Sequence, residues 1–368
     1  MIITHNTGRY FHSALTKHFF KDFPPNLHQL FKSLAVIKII RKGEKVRLKT
    51  QSLNNIPIPY ACILSVTWKC NLKCVGCYAQ NYPTENQLNN NEIKSVLSQA
   101  ALMGIYIFIV VGGEPLLIPG LVELLASAKN SLFFLFTNGI LLEEGKLEKL
   151  KKAKNIIPII STEGNSTFID QRRGIGMGRT VGNALALLKK YKILFGFSAM
   201  VTHKNVREVL SRTWMDSLWE YGAKFGFIID YIPFPKTLDK SLLLDQEDLK
   251  FKREEIRELN THSKLILFNF PEDEYLKPGC KSAGNGFIHI NANGNVEPCP
   301  FSHYAADNIR EKSLLDILDS DFFRKLRETF QTKENPYNSC MLFYNDHLVK
   351  EIAGETNAIY TEKILDNN

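Results

Sequence analysis

The sequence predicts an α/β fold: a parallel sheet or partial barrel, preceded by a helical segment and followed by a small α+β unit. Three observations lead there. Apolar runs at 61–66, 105–111, 131–136, 156–161, 193–201 and 225–232 alternate with amphipathic stretches at about 90–103, 119–129, 143–153, 179–191 and 205–221. Six strands with five intervening helices are the rhythm of a parallel sheet. A strongly charged stretch at 245–262 then separates this alternation from a cysteine-bearing C-terminal region with a hairpin signal of its own.

Composition narrows the function classes. A chain of 368 residues has room for two or three folding units and a sizeable core. With 44% apolar and 23% charged residues it reads as globular, not disordered. No run approaches the ~20 apolar residues of a membrane span. The first ten residues have no signal-peptide pattern. Seven cysteines without an export signal point to metal or redox use in a reducing compartment, so a cytoplasmic location is expected. The net charge of +8 fits an anionic partner: a phospholipid surface, an acidic peptide or an electron-donor protein. No dense Arg/Lys stripe or recognition motif indicates nucleic acid.

Residues 1–50 form the first unit. Phe11, Leu15, Phe19, Phe20, Phe23, Leu27, Leu30, Phe31 and Leu34 recur at roughly helical spacing among basic residues. Pro24-Pro25 splits the stretch into two short helices, and 41–45 reads as a turn. Two readings stand. A basic amphipathic helix lies in a membrane interface, placing the protein peripherally on the inner face of the membrane. The plainer one is a helix capping the open side of the main domain.

The main unit, 51–235, carries polar signals where its apolar runs stop, as the chemistry of such folds requires. The first run leads into Cys70, Cys74 and Cys77, followed by Tyr78. Three thiolates this close converge on one metal centre. A structural zinc takes four protein ligands. Three cysteines on a four-iron cubane leave one iron open for chemistry. The second run ends in Gly112, Gly113, Glu114 and Pro115, where paired glycines admit a close backbone approach and Glu114 offers an acceptor; by itself the motif is also a plain turn. The third ends in Thr137-Asn138-Gly139, which equally reads as a β-turn. The fourth ends in Ser161-Thr162-Glu163-Gly164, followed by a loop with Asp170, Arg172 and Arg173. Arg173 is the residue chosen to pair with a carboxylate; the alternative is a helix starting near Arg179 with solvated charges. Ser198 lies in the fifth run.

Residues 236–270 read as a linker with a solvated helix and an apolar strand. The last unit, 271–368, holds Cys280, a hairpin around Asn293-Gly294, Cys299 and, after two helices, Cys340. Its three cysteines bind a second centre, with either one position left open or a fourth ligand from His303, Asp307 or His347, or else they are buried thiols or a zinc site. Cys62, inside the first run, reads as a core residue.

Cys70-x3-Cys74-x2-Cys77 with a following aromatic resembles the signature of the radical S-adenosylmethionine (radical SAM) superfamily, and Gly112-Gly113-Glu114 one β/α unit later resembles its SAM-amine motif. Gly294-x4-Cys299 after Cys280 resembles the SPASM/Twitch auxiliary-cluster domain. The resemblance spans about 58–345. It implies a partial (β/α)6 barrel with a small C-terminal auxiliary-cluster domain. Cys70, Cys74 and Cys77 then hold a [4Fe-4S] cluster whose open iron SAM chelates. Tyr78, Gly112, Gly113, Glu114, Thr137, Asn138, Ser161, Glu163, Arg173 and Ser198 contact SAM. Cys280, Cys299 and Cys340 hold a second [4Fe-4S] cluster, since the chain has too few cysteines for the two auxiliary clusters of a full SPASM domain. Reductive cleavage of SAM by an electron from a ferredoxin or flavodoxin gives a 5′-deoxyadenosyl radical, which takes a hydrogen atom from an unactivated carbon. A peptide or a lipid/isoprenoid is the expected substrate. The competing function class is a non-catalytic iron–sulfur or zinc protein that carries electrons or acts as a scaffold.

Overall fold

The computed structural model describes residues 27–233, 239–271, 279–280, 282–335 and 339–362, with side chains from residue 34. The expectations for the N-terminal aromatic residues up to Phe23, and for the Pro24-Pro25 break, lie outside the described residues.

The first described element is one long helix, α1 (Leu27–Asn54). It runs straight through 41–45, where the sequence indicates a turn. Gly43 is there because of what lies opposite: a Cβ at that position would sit 2.4 Å from the Tyr106 ring. The helix thus needs a hydrogen side chain to lie flat on the barrel wall. Val36, Ile39, Ile40 and Gly43 share its buried face, with Arg47 one turn on. Arg47 donates to Glu44 and to the Ile58 carbonyl, so this cation is held inside by partners. This segment of the N-terminal unit therefore caps the main domain.

The alternation then unfolds as β1 (Ala61–Thr67), α2 (Asn90–Met103), β2 (Ile107–Gly112), α3 (Leu121–Ser127), β3 (Leu132–Thr137), α4 (Glu144–Lys152) and β4 (Ile156–Thr162). It continues with α5 (Ser166–Arg173), α6 (Met177–Lys190), β5 (Gly196–Val201), α7 (Val206–Val209), α8 (Arg212–Tyr221) and β6 (Phe225–Asp230). Local chemistry marks the boundaries. Asn89 and Glu92 form a reciprocal capping box at the start of α2, which Gly104 ends at φ +83°. The loop expected to carry Asp170, Arg172 and Arg173 is instead the helix α5, because Asn165 caps it by accepting from the amides of Thr167 and Phe168.

The strand order is β7-β6-β5-β4-β3-β2-β1-β8-β9. Here α9 (Gln246–His262) and β7 (Ile266–Phe270) belong to the main architecture: β7 pairs parallel with β6, so the segment read as a linker supplies a seventh parallel strand. On the other edge β8 (Phe287–Ile290) pairs parallel with β1 and antiparallel with β9 (Val296–Glu297). The predicted hairpin around Gly294 is present, with Gly294 at φ +88°. Its first strand also extends the barrel sheet.

The sheet is curled. Phe134 of β3 and Phe227 of β6 have ring centroids 5.6 Å apart, although three strand spacings of about 4.8 Å separate their strands in a flat sheet. Phe270 of β7 reaches Phe287 of β8 at 5.3 Å, so the two ends of the arc nearly meet. The architecture is a parallel half-barrel with a C-terminal unit. That unit contains β10 (Tyr304–Ala305), α10 (Leu314–Leu318), α11 (Asp321–Phe330), α12 (Met341–Tyr344), α13 (Asp346–Glu355) and β11 (Ile359–Tyr360). Among the described residues no helix is long and apolar enough to cross a membrane.

Candidate active site

A cavity of about 330 Å³ opens at the C-terminal ends of the strands and runs down the inside of the arc. It is lined by Cys70, Cys74, Cys77, Tyr78, Gly112, Gly113, Glu114, Thr137, Asn138, Ser161, Glu163, Arg173 and Ser198. Every residue that the sequence assigns to the first cluster or to SAM therefore faces one space.

The cysteine loop is fastened on three sides. Gly113 and Glu114 donate their amides to the carbonyls of Thr67 and Lys69 at 2.6 and 2.9 Å. A Cβ on Gly113 would stand 2.1 Å from the Lys69 oxygen, and one on Gly112, at φ +121°, 2.2 Å from the Thr67 oxygen. The paired glycines are required because the backbone of the cysteine loop lies against them. On a second side the Val75 amide donates to the Arg172 carbonyl at the end of α5, at 3.0 Å. On a third, Asn138 Nδ2 donates to Asn71 Oδ1 at 2.7 Å. Cys74 is buried, Cys77 half-buried and Cys70 exposed. Burial pushes the Cys74 thiol up against the pull of the Arg173 and Arg172 charges.

Glu114 is buried and accepts three hydrogen bonds: from the Leu116 amide, from Thr137 Oγ1 at 2.8 Å, and from the Asn138 amide at 2.8 Å. Burial wins over these donors and raises its pKa. With three of about four acceptor positions used, its first job is to tie the end of β2 to the end of β3.

Glu163 is clamped by two arginines. Arg173 Nε and Nη2 reach its two oxygens at 2.5 and 2.6 Å, and Arg172 Nη1 approaches at 2.5 Å. Burial pushes this carboxyl up, but the Arg173 and Arg172 charges outweigh it and hold it below the usual range. Ser198 and Ser161 face each other at 3.4 Å. The Tyr78 hydroxyl bonds Ser65 and takes the Gly112 amide, and its ring meets Trp68 edge-on at 6.3 Å.

Of the charged groups of this cavity, the sequence offered Arg172 but Arg173 was chosen over it, and Asp230 was missed. Arg172 is the other half of the Arg-Arg pair, and its helical neighbour was available as a signal. Asp230 ends an apolar strand and pairs with Lys252 of α9 at 2.5 Å; an acid at that position calls for a buried partner.

Cys280, Cys299 and Cys340 are all buried and lie in the same apolar core. Cys299 Sγ accepts from the Phe301 amide at 3.2 Å, and Cys280 Sγ lies 2.8 Å from Ser282 Oγ. Of the proposed fourth ligands, His303 has both ring nitrogens engaged, by Glu362 and by the Pro300 carbonyl. Asp307 pairs with Lys312 and His347 is exposed.

Sulfurs around one tetrahedral zinc, at Zn–S ≈ 2.3 Å, lie about 3.8 Å apart. Among the described residues, the group of three potential ligands converging within 4.8 Å is His203, Asp245 and Asp248, and neither cysteine trio meets that spacing.

Residues 64–210 match the radical SAM superfamily model, and residues 280–341 match the SPASM iron–sulfur cluster-binding domain. The chain belongs to the radical SAM superfamily. It is an enzyme of that superfamily with a C-terminal SPASM domain. The AdoMet-dependent heme synthase of Methanosarcina barkeri is 26% identical over 299 residues, covering 73% of this chain and 84% of that one. The sporulation killing factor maturation protein SkfB of Bacillus subtilis is 28% identical over 275 residues, covering 71% and 65%. Among solved structures, Streptococcus suis SuiB bound to its precursor peptide SuiA matches with TM-score 0.62 at 19% identity, covering 82% of this chain and 71% of SuiB. The structure of anSMEcpe with bound AdoMet matches with TM-score 0.60 at 18% identity, covering 80% and 97%. At these identities the structures speak for the fold. The radical SAM domain implies a [4Fe-4S] cluster and SAM, and the SPASM domain implies auxiliary iron–sulfur binding.

Proposed function

We propose that this radical SAM enzyme abstracts a hydrogen atom from an unactivated carbon of a peptide or lipid/isoprenoid substrate, with one auxiliary cluster. Cys70, Cys74 and Cys77 are the residues that would hold the SAM-binding [4Fe-4S] cluster, and Cys280, Cys299 and Cys340 the second. When bound and reduced by one electron, the first cluster and SAM supply a 5′-deoxyadenosyl radical and methionine. The rest is the work of this chain's residues. Gly112 and Gly113 hold the cysteine loop against the sheet. Glu114, Thr137 and Asn138 fix the adjoining strand ends. Arg172 and Arg173 share one carboxylate, Glu163, and so carry one surplus positive charge toward a ligand carboxylate. Ser161 and Ser198 present hydroxyls to the same cavity, and Tyr78 closes it beside Cys77. The apolar wall below excludes water from a reactive species.

The observation that carries this reading is the common cavity: residues from five strand ends and the cysteine loop all line it. Exposed Lys69 and Lys73 flank Cys70, which suits an acidic electron donor such as a ferredoxin or flavodoxin.

The experiment is anaerobic reconstitution, addition of dithionite and SAM, and chromatography for 5′-deoxyadenosine, which is expected to form. A cubane visible by electron paramagnetic resonance with no nucleoside product would overturn the reading. Liposome co-sedimentation tests the lipid branch. The truncation to compare removes residues 1–26, because Val36, Ile39 and Ile40 of α1 belong to the core.

A further inference from the structure

A closed parallel barrel is normally filled by layers of inward side chains. This half-barrel is hollow. On β2, Ile109 and Val111 retain accessible surface while Phe108 and Val110 are buried under the helices. The same alternation leaves Phe136 of β3, Ile229 of β6 and Phe268 of β7 half-buried on the concave face. All five line the cavity. Their accessible surface is apolar and contiguous, which a soluble fold leaves uncovered only where something is to cover it.

The chamber is walled rather than open at the side. Phe227 stacks on Phe268 at 5.3 Å, and Phe270 bridges the seam to Phe287 at 5.3 Å and Phe301 at 5.6 Å. The charged side chains lining it are Glu114, Glu163, Arg172, Arg173 and Asp230, all at or beyond the C-terminal ends of the strands. Each is engaged: Glu114 by three donors, Glu163 by the two arginines, and Asp230 by Lys252. Among the described residues the lining below that rim offers no cation to a phosphate or carboxylate, and the one surplus positive charge, that of the Arg172–Arg173 pair on Glu163, lies at the rim. An anionic group in the chamber would lose its hydration without compensation.

We propose that this chamber takes an uncharged, apolar group of the substrate: a hydrocarbon chain or an apolar peptide side chain, seated on Ile109, Val111, Phe136, Ile229 and Phe268. The proposal rests on the reading that the rim above holds the cluster and SAM, and it excludes a polyanionic substrate such as a nucleoside triphosphate.

The test uses the full chain reconstituted under argon with SAM, titrated with N-phenyl-1-naphthylamine, an uncharged apolar fluorophore. The expected result is one saturable site with blue-shifted emission. Farnesol displaces the probe if the group is an isoprenoid, acetyl-phenylalaninamide if it is a peptide side chain, and GTP in neither case. Phe268→Glu, which puts a carboxylate into the chamber, weakens probe binding about tenfold or more, whereas Phe268→Leu stays within about threefold of the parent. Iron content shows that each variant is folded and loaded. No saturable binding, displacement by GTP, or equal binding by Phe268→Glu overturns the proposal. 5′-Deoxyadenosine is measured in the same preparations. If the nucleoside forms and the probe does not bind, the chamber is wrong and the activity stands. If the probe binds in the Phe268-dependent way and no nucleoside forms, the chamber stands and the activity is wrong.

Discussion

Ser65 Oγ and His289 Nε2 lie 2.8 Å apart, both without solvent exposure, though 224 residues separate them. Ser65 is on the first barrel strand and His289 on the first strand of the C-terminal hairpin. The other ring nitrogen of His289 meets Glu297 at 2.7 Å, and Glu297 also accepts from Tyr82, Asn291 and Thr361. One buried carboxylate thus gathers the cysteine-loop side, the hairpin and the C-terminal segment. His289→Phe removes a partner from both Ser65 and Glu297 and leaves a buried acid short of a donor. It is expected to destabilise the chain by about 3 kcal/mol. Ser65→Ala is expected to cost about 1 kcal/mol. Urea midpoints measured under argon check both; equal, negligible shifts would show that the network is not what joins the two units.

Gly113→Ala tests the seat of the cysteine loop. Its methyl would need the space of the Lys69 carbonyl, a backbone atom that cannot swing aside as a side chain does. Displacing the loop is expected to cost about 1–3 kcal/mol and to lower the iron retained after reconstitution. Gly145→Ala, where no atom lies within 4 Å, is the control and is expected to keep its iron.

Much of this arrangement was legible in the sequence. Strand ends are where apolar runs stop, so Thr137, Asn138, Ser161 and Glu163 could be placed by position, and the structure brings them to one cavity. What could not be read is pairing at a distance. Nothing in the period of 287–290 says that it lies beside 61–64, and a histidine inside an apolar alternation looks like an ordinary core residue. The strand at 266–270 was visible, but its neighbour was not. The long helix α1 defied its Gly43 because the reason for that glycine, the Tyr106 ring, is 63 residues away. Arg173 was found, yet its pairing with Glu163 was not, because the intervening α5 looked like a loop.

The two cysteine trios are expected to separate functionally. Cys74→Ala leaves two cysteines at the rim and is expected to abolish 5′-deoxyadenosine formation. Cys299→Ala removes a proposed ligand of the C-terminal site and is expected to lower iron content while leaving some uncoupled SAM cleavage. Iron and sulfide counts beside nucleoside yield check this. Total loss in both variants would mean that the C-terminal site is needed for the first step as well.

Lys224 makes stability pH-dependent on the alkaline side. Partial burial and the nearby Lys264 charge lower its pKa to about 8, with its ammonium 3.7 Å from the centre of the Trp219 ring. An unfolded lysine titrates near ~10.4, so between about 8 and 10.4 the unfolded chain binds more protons than the folded one. The cost of the buried charge is present in full below pH 8, and stability rises as pH increases through that window. Lys224→Met is expected to gain on the order of 1 kcal/mol at pH 7 and to flatten the rise between pH 8 and 10. Denaturation midpoints at pH 7, 8, 9 and 10 give the comparison, and parallel curves for parent and variant would rule out Lys224 as the source.

A buried ion pair stands behind the cavity. Lys252 and Asp230 are both fully buried, joined at 2.5 Å, and Asp230 Oδ2 has no hydrogen-bond partner. Burial raises the Asp230 carboxyl against the pull of Lys252, so desolvation is the larger effect here. A pair of this kind contributes little net stability, yet breaking it strands a charge in an apolar layer. Lys252→Met alone is expected to destabilise by about 3–5 kcal/mol, and Asp230→Leu by a similar amount. The double variant, which removes both charges and keeps the volume apolar, is expected to recover most of that loss, so the double-mutant cycle should give a coupling of about 5 kcal/mol or more. An additive cycle would mean that the two charges do not depend on each other for burial. In that case the raised carboxyl at the end of β6 would have to be explained by the cavity alone.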